Sequence, residues 1–165
     1  MRAAKQREIL RAGERAPDFE LLRLDQGRAT LRDLLAGGQA LLAFFKSSCP
    51  VCQMTLPFLD RIYSRRAPGS FAIYGISQDD AQTTREFNAE FGIQLPVLLD
   101  TEESGYPASN AYQISHVPSL FLVGRGGAIE WSQEGFVKRE FEALAALAGV
   151  HPFGPGEPVP EWKAG

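Results

Sequence analysis

Cysteine, histidine, methionine and tryptophan each occur only twice in these 165 residues. Two cysteines cannot build a disulfide-dense scaffold, and with two histidines they leave no four-ligand set of the zinc-ribbon kind. No stretch approaches the roughly 18 consecutive apolar residues of a membrane span, and no signal-peptide apolar core opens the chain. Basic residues do not dominate either: 17 Lys and Arg stand against 20 Asp and Glu, for a net charge of −3. No basic tract is interleaved with aromatics, so nucleic acid is an unsuitable partner. Taken as it stands, the chain reads as a cytoplasmic monomer, with a periplasmic or other extracytoplasmic location as the alternative if the sequence is a trimmed form.

What is present is enough for one compact domain, since 44% of the residues are hydrophobic. Positive charge gathers at the start, where Arg2, Lys5, Arg7, Arg11 and Arg15 outnumber Glu8 and Glu14. Residues 1–12 therefore read as a charged, solvated arm and 13–150 as the folded domain. The Pro/Gly-rich residues 151–165 read as a tail without regular packing.

The apolar run Ala40–Phe45 is a buried strand, and both cysteines follow it as Cys49-Pro50-Val51-Cys52. Proline suits the first helical position, so a helix begins at Cys49 and its free backbone N–H groups face a thiolate there. Cys52 lies about one turn further on. A mixed disulfide formed at Cys49 can be resolved by a second thiol at that spacing, without a metal or organic cofactor. The Cys49–Cys52 disulfide itself is then the redox group. Half of a zinc site and a purely structural disulfide are the competing readings; the first lacks further ligands and the second closes too short a loop to stabilise much.

Val51, Met54, Phe58, Leu59 and Ile62 form a stripe of helical period behind the cysteines, with Pro57 predicted to interrupt it. Phe19–Leu24 reads as an edge strand or hairpin arm, and Leu31, Leu34 and Leu35 as a short helix stopped by Gly37-Gly38. Phe71–Ile76, a helix after Asp79-Asp80 and a short strand at Pro96–Leu99 follow, then a brief helix over about 103–112. Ser119–Val123 and Ala128–Ser132 pair across Gly126-Gly127, and a last helix carries Phe141, Leu144, Ala145 and Ala148. This order predicts an α/β sheet with helices on both faces and the cysteines at a strand's carboxyl end, where such sheets hold their sites.

Several segments together resemble one family. Ala16-Pro17-Asp18-Phe19, Phe44-Phe45 before the cysteine motif, Pro57 behind it, Phe91-Gly92, Pro96–Asp100, Val117-Pro118 and Gly126-Gly127 are similar to the thioredoxin-fold thiol-disulfide oxidoreductases of the TlpA/ResA-like group, within the redoxin (AhpC/TSA) superfamily. The resemblance implies a thioredoxin-like α/β fold: a central mixed β-sheet flanked by helices, with an extra N-terminal segment and Phe71–Asp100 as an inserted β-α unit. It implies Cys49 as attacking thiol and Cys52 as resolving thiol, exchanging with a protein disulfide or dithiol and a redox-recycling partner. It also implies a cis Val117-Pro118 bond beside the cysteines, with the Val117 backbone pairing with substrate.

Two departures bear on proton transfer. The position six before Cys49, acidic in thioredoxin, is Ala43, and the position three after Cys52, commonly glutamate in the reductases of cytochrome c maturation, is Thr55. A water or a more distant group such as Glu102 or Glu103 would have to serve. Lys46 and His116 are candidate cations for lowering the Cys49 pKa, their alternative being ordinary surface placement. A peroxiredoxin-like thiol peroxidase fits less well, because Lys46 and Leu42 stand where that group has threonine and proline. A copper-binding or metallochaperone module using Cys49, Cys52 and His116 also fits less well, since related chaperones place three residues between the cysteines. No metal site is expected.

Overall fold

The computed structural model describes residues 8–165. Arg2, Lys5 and Arg7 of the charged arm lie outside the described residues. Seven strands form one sheet: β1 (Glu20–Arg23), β2 (Arg28–Thr30), β3 (Ala40–Phe45), β4 (Ala72–Ser77), β5 (Val97–Leu99), β6 (Ser119–Val123) and β7 (Ile129–Glu134). Their spatial order is β2-β1-β5-β4-β3-β6-β7. β3, β4 and β5 run parallel, and the flanking pairs are antiparallel, so the sheet is mixed. Of the two readings of Phe19–Leu24, the hairpin arm holds and the edge strand does not: β1 pairs antiparallel with the following β2 and also with β5.

β3 explains the layering. All six of its side chains are buried, because successive residues point to opposite faces and both faces are covered. Leu41, Ala43 and Phe45 join a core with Leu56, Leu59 and Ile62 of α2 (Pro50–Arg65), Phe87 of α3 (Ala81–Phe91) and Phe141 and Leu144 of α5 (Lys138–Leu147). Ala40, Leu42 and Phe44 join the opposite core with Leu31 and Leu34 of α1 (Leu31–Leu34), and with Ala108 of α4 (Pro107–Ala111) and the adjoining Tyr112. The thioredoxin-like arrangement of a central mixed sheet between helices is therefore the architecture.

Helix ends follow local chemistry. Thr30 and Asp33 close a capping box on α1, and the Asp80 side chain accepts from the Thr83 N–H at the start of α3. Gly92 ends α3 at φ 67°, in the left-handed region. α2 continues through Pro57 as one 16-residue helix; its buried stripe of Leu56, Phe58, Leu59 and Ile62 holds it to the sheet despite the missing N–H donor. α4 starts only at Pro107, after Tyr106 in the left-handed region. There it is capped by the buried Asp100 carboxylate, which accepts from Ala108 N–H, Ser109 N–H and the Ser109 hydroxyl at 2.9, 2.7 and 2.5 Å.

Two sequence expectations are corrected. Leu10 is buried and Ile9 packs beside it, so these residues belong to the core and not to a solvated arm. The segment from His151 has regular structure after all: β9 (Trp162–Lys163) pairs antiparallel with β8 (Phe136–Val137) in a second, two-stranded sheet. Earlier in the same segment Phe153 packs against Phe58 with ring centroids 4.8 Å apart. Arg61 holds Pro152 O at 2.8 Å and both Glu157 carboxylate oxygens at 2.6 and 3.1 Å. Aromatic packing and a bidentate ion pair fix a stretch whose local composition signals only turns.

Candidate active site

Cys49 is the N-cap of α2, with extended backbone at φ −87° and ψ 114° and Pro50 in the first helical position. Its sulfur accepts the Cys52 N–H at 3.1 Å. A thiolate in this place receives an N–H donor that the helix itself cannot use, and it faces the positive end of the helix dipole. As a thiol, Cys49 donates to the Val117 carbonyl at 3.4 Å. Both cysteines are free thiols; Cys49 is half-buried and Cys52 is fully enclosed. Burial pushes the Cys52 thiol well above its ordinary value, and the adjacent Cys49 and the negative charge of Asp79 push the same way, against a backbone hydrogen bond from Lys46.

The Val117-Pro118 peptide bond is cis, and the Cys49–Val117 contact puts it against the cysteine pair. An open cavity of about 490 Å³ lies over Cys49, lined by Lys46, Pro50, Tyr106, Ile114, His116 and Val117 among others. Lys46 is exposed. His116 Nδ1 sits 2.9 Å from Glu134 Oε1 and 3.0 Å from the Ser115 hydroxyl. Lys46, Cys49, Cys52, His116, Val117 and Pro118 are thus at this one sheet end. Ala43 and Thr55 are both fully buried, and the Thr55 hydroxyl is spent on the Val51 carbonyl at 2.7 Å.

Two neighbours of the pair were not found from sequence. Asp79 reaches from the β4–α3 loop to accept the Ser47 N–H at 2.7 Å. Glu102 and Glu103, the acids named as distant candidates, are exposed in the turn before α4. The Asp79-Asp80 pair signalled a helix start, which Asp80 alone performs; that surplus acid was the available clue. Gly165 is the second: a Cβ built on it would lie 2.4 Å from the Val117 carbonyl oxygen and 3.3 Å from His116 Cβ. The backbone of the tail therefore rests directly on the residue expected to bind substrate. Among the described residues no three His, Cys, Asp or Glu side chains converge to hold a metal, and no helix is long and apolar enough to cross a membrane.

Residues 12–132 match the AhpC/TSA family. The chain is 27% identical over 124 residues to a thiol-disulfide oxidoreductase ResA from Halalkalibacterium halodurans, covering 74% of this chain and 68% of that protein. It is 25% identical over 132 residues to a putative peroxiredoxin bcp from Helicobacter pylori, covering 74% and 87%. Among solved structures, a putative protein disulfide isomerase from Bacteroides thetaiotaomicron superposes with a TM-score of 0.73 at 28% identity, over 84% of this chain and 87% of the other. With the family matched over most of its length, a thioredoxin-like fold and a close pair of free thiols at a helix start, the chain belongs to the AhpC/TSA family, as a thiol-disulfide oxidoreductase.

Proposed function

We propose that this protein exchanges thiols and disulfides with a protein substrate, Cys49 attacking and Cys52 resolving. The observation that carries the reading is the asymmetry of the pair: Cys49 caps the helix and lines the open cavity, whereas Cys52 is enclosed beneath it. In the reducing direction the Cys49 thiolate attacks one sulfur of the substrate disulfide, forming a mixed disulfide and releasing the other sulfur as a thiolate. Cys52 then loses its proton and attacks Cys49 Sγ. The Cys49–Cys52 bond forms, the bond to substrate breaks, and two electrons pass from the pair to the substrate, whose thiolates take up protons. A redox-recycling partner restores the dithiol, and the disulfide serves as the redox group without a separate cofactor.

The Val117 backbone, next to Pro118, offers the hydrogen-bonding edge for an extended substrate segment. Lys46 and His116 line the cavity over Cys49, where the Lys46 ammonium would favour the developing thiolate. Reduction of insulin disulfides tests the assignment. Cys49→Ser is expected to abolish it, and Cys52→Ser to accumulate a mixed disulfide visible by mass spectrometry. Undiminished turnover in Cys49→Ser would overturn the reading.

A thiol peroxidase is the second reading, favoured by the likeness to a peroxiredoxin and opposed by Lys46 at the position where that group has threonine. Hydrogen peroxide consumption by the dithiothreitol-reduced protein separates the two. Turnover of peroxide exceeding that of protein disulfides would favour it. A copper-binding role makes a different prediction, stoichiometric Cu(I) uptake by the reduced protein, and its absence on titration removes that role.

A further inference from the structure

The end of the sheet opposite the cysteines carries a cavity that thiol chemistry leaves unused. β6 runs antiparallel to β3, with Phe44 opposite Ser119 and Ala40 opposite Val123, so the turn that follows Val123 lies at the amino end of β3. Cys49 follows the carboxyl end, a strand length of roughly 17 Å away. Between that turn, α1 and the segment before β1 opens a cavity of about 490 Å³, and three arginines line it: Arg15, Arg32 and Arg125. Asp18 is the one acid in its lining.

Each arginine is carried by backbone that is already fixed. Residues 13–16 are tied to the start of β7: Gly13 N–H donates to the Ile129 carbonyl, Ile129 N–H to the Glu14 carbonyl and Ala16 N–H to the Gly127 carbonyl, each at 2.8 Å. Arg125 sits in the turn closed by the bond from Gly127 N–H to the Gly124 carbonyl, also 2.8 Å. Arg32 belongs to α1, whose first residue, Leu31, donates its N–H to Asp18 Oδ1 at 3.1 Å; the same oxygen accepts the Phe19 N–H at 2.8 Å. A Cβ built on Gly127 would stand 3.7, 3.8 and 4.0 Å from Arg15 Nη2, Cζ and Nη1. Such near-equal distances mean that the guanidinium lies broadside over the glycine, with its N–H edges left for the cavity.

These positive charges have no partner in the protein. Among the described residues no carboxylate forms an ion pair with any of the three. The other acids nearest them in sequence are engaged elsewhere: Glu14 accepts the Arg11 N–H at 2.6 Å, Asp33 closes the α1 capping box, and Glu130 accepts from the Gln39 side chain at 2.6 Å. On a chain of net charge −3 the cavity is a local reversal of sign. A guanidinium presents paired N–H donors that match two oxygens of one phosphoryl group, and such charge-assisted bonds are the strong ones. No aromatic side chain lines the cavity for a base to stack on, so the phosphoryl groups themselves are what the site recognises. We propose that this cavity binds a small anion of the pyrophosphate class, two linked phosphoryl groups shared among Arg15, Arg32 and Arg125, at a site separate from the thiol chemistry.

Calorimetric titration of the full chain with inorganic pyrophosphate, at constant ionic strength, tests the site. One pyrophosphate per chain should bind saturably, and orthophosphate should bind about tenfold more weakly, because a single phosphoryl group engages fewer of the arginines. Arg15→Gln, Arg32→Gln and Arg125→Gln should each weaken pyrophosphate binding by about tenfold or more, the equivalent of one lost charge-assisted hydrogen bond. Arg15→Lys keeps the charge but loses the paired donors, so it should not restore full affinity. Circular dichroism checks that each variant is folded. Amide NMR shifts in the unaltered protein give a readout that needs no variant: on adding pyrophosphate they should centre on Arg125, Gly126 and Gly127 and leave Cys49 and Cys52 unmoved. No saturation at millimolar pyrophosphate, unchanged affinity in all three glutamine variants, or shifts centred elsewhere would each overturn the proposal. Citrate binding as tightly as pyrophosphate would overturn its assignment to phosphoryl chemistry.

Discussion

Replacing Gly135 with alanine should release the tail from the active site without unfolding the domain. Gly135 has φ +73°, and its N–H donates to the Pro118 carbonyl at 2.8 Å. A Cβ built there would lie 2.6 Å from the Lys163 carbonyl oxygen and 3.2 Å from the Gly165 nitrogen, closer than packed atoms tolerate. Left-handed backbone costs a non-glycine residue roughly 1–2 kcal/mol, before the collision is counted. Against this, the strap is held by a ladder of two residue pairs and by the Lys138 N–H to Glu161 carbonyl bond of 3.0 Å. At about 1 kcal/mol net per backbone hydrogen bond, that is on the order of 2–3 kcal/mol. The Lys138–Glu161 ion pair at 3.7 Å adds little, with Glu161 85% exposed. Strain plus collision therefore matches or exceeds what holds β9, and the strap detaches beyond the Arg61–Glu157 anchor. Amide hydrogen exchange should show protection lost at Lys138, with the seven-stranded sheet still protected. Uncovering Val117 should also speed reaction with a peptide disulfide. Gly135→Asn separates the causes: asparagine tolerates the left-handed backbone yet carries the colliding Cβ, so it should behave like alanine. If Lys138 stays protected in both variants, the reasoning fails.

Asp100→Ala should be strongly destabilising, because three donors at the start of α4 lose their only buried acceptor; a loss of about 3 kcal/mol or more is expected from urea unfolding. The Glu157 carboxyl is pulled down to about 2, chiefly by its hydrogen bonds from Arg61, from an ordinary value of 4.5. A depressed carboxyl contributes stability that is fully present above the unfolded value and fades as pH falls from about 4.5 toward 2. Fluorescence of the exposed Trp162 should report loosening of the tail in that window, and Glu157→Gln should lose the transition.

Most of the sheet was legible because its strands announce themselves locally. The boundaries of β3 and β6 agree with those read from their apolar runs, and the N-cap at Cys49 follows from proline at the next position. β8 and β9 were not legible, since two-residue strands carry no period and their pairing joins residues about 25 positions apart. Leu10 failed for the opposite reason: charged neighbours mask a buried side chain whose partners come from elsewhere in the chain. α4 was placed too early because Tyr106 takes a left-handed backbone that sequence does not signal in a tyrosine.

The site divides along the same line. Cys49, Cys52 and Pro118 stand in recognisable strings, and the first turn of α2 sets the geometry of the pair from within five residues. Asp79 and Gly165 reach the pair only through the fold, one across parallel strands and the other along a returning tail. The acid holds the Ser47 N–H two residues before Cys49, and the glycine covers the carbonyl that the Cys49 thiol meets. A motif of four residues is thus set locally, while the groups around it arrive from the loop after β4 and from the tail after β9. Gly135 variants should consequently change the entry of a peptide against Val117 while leaving the motif itself in place.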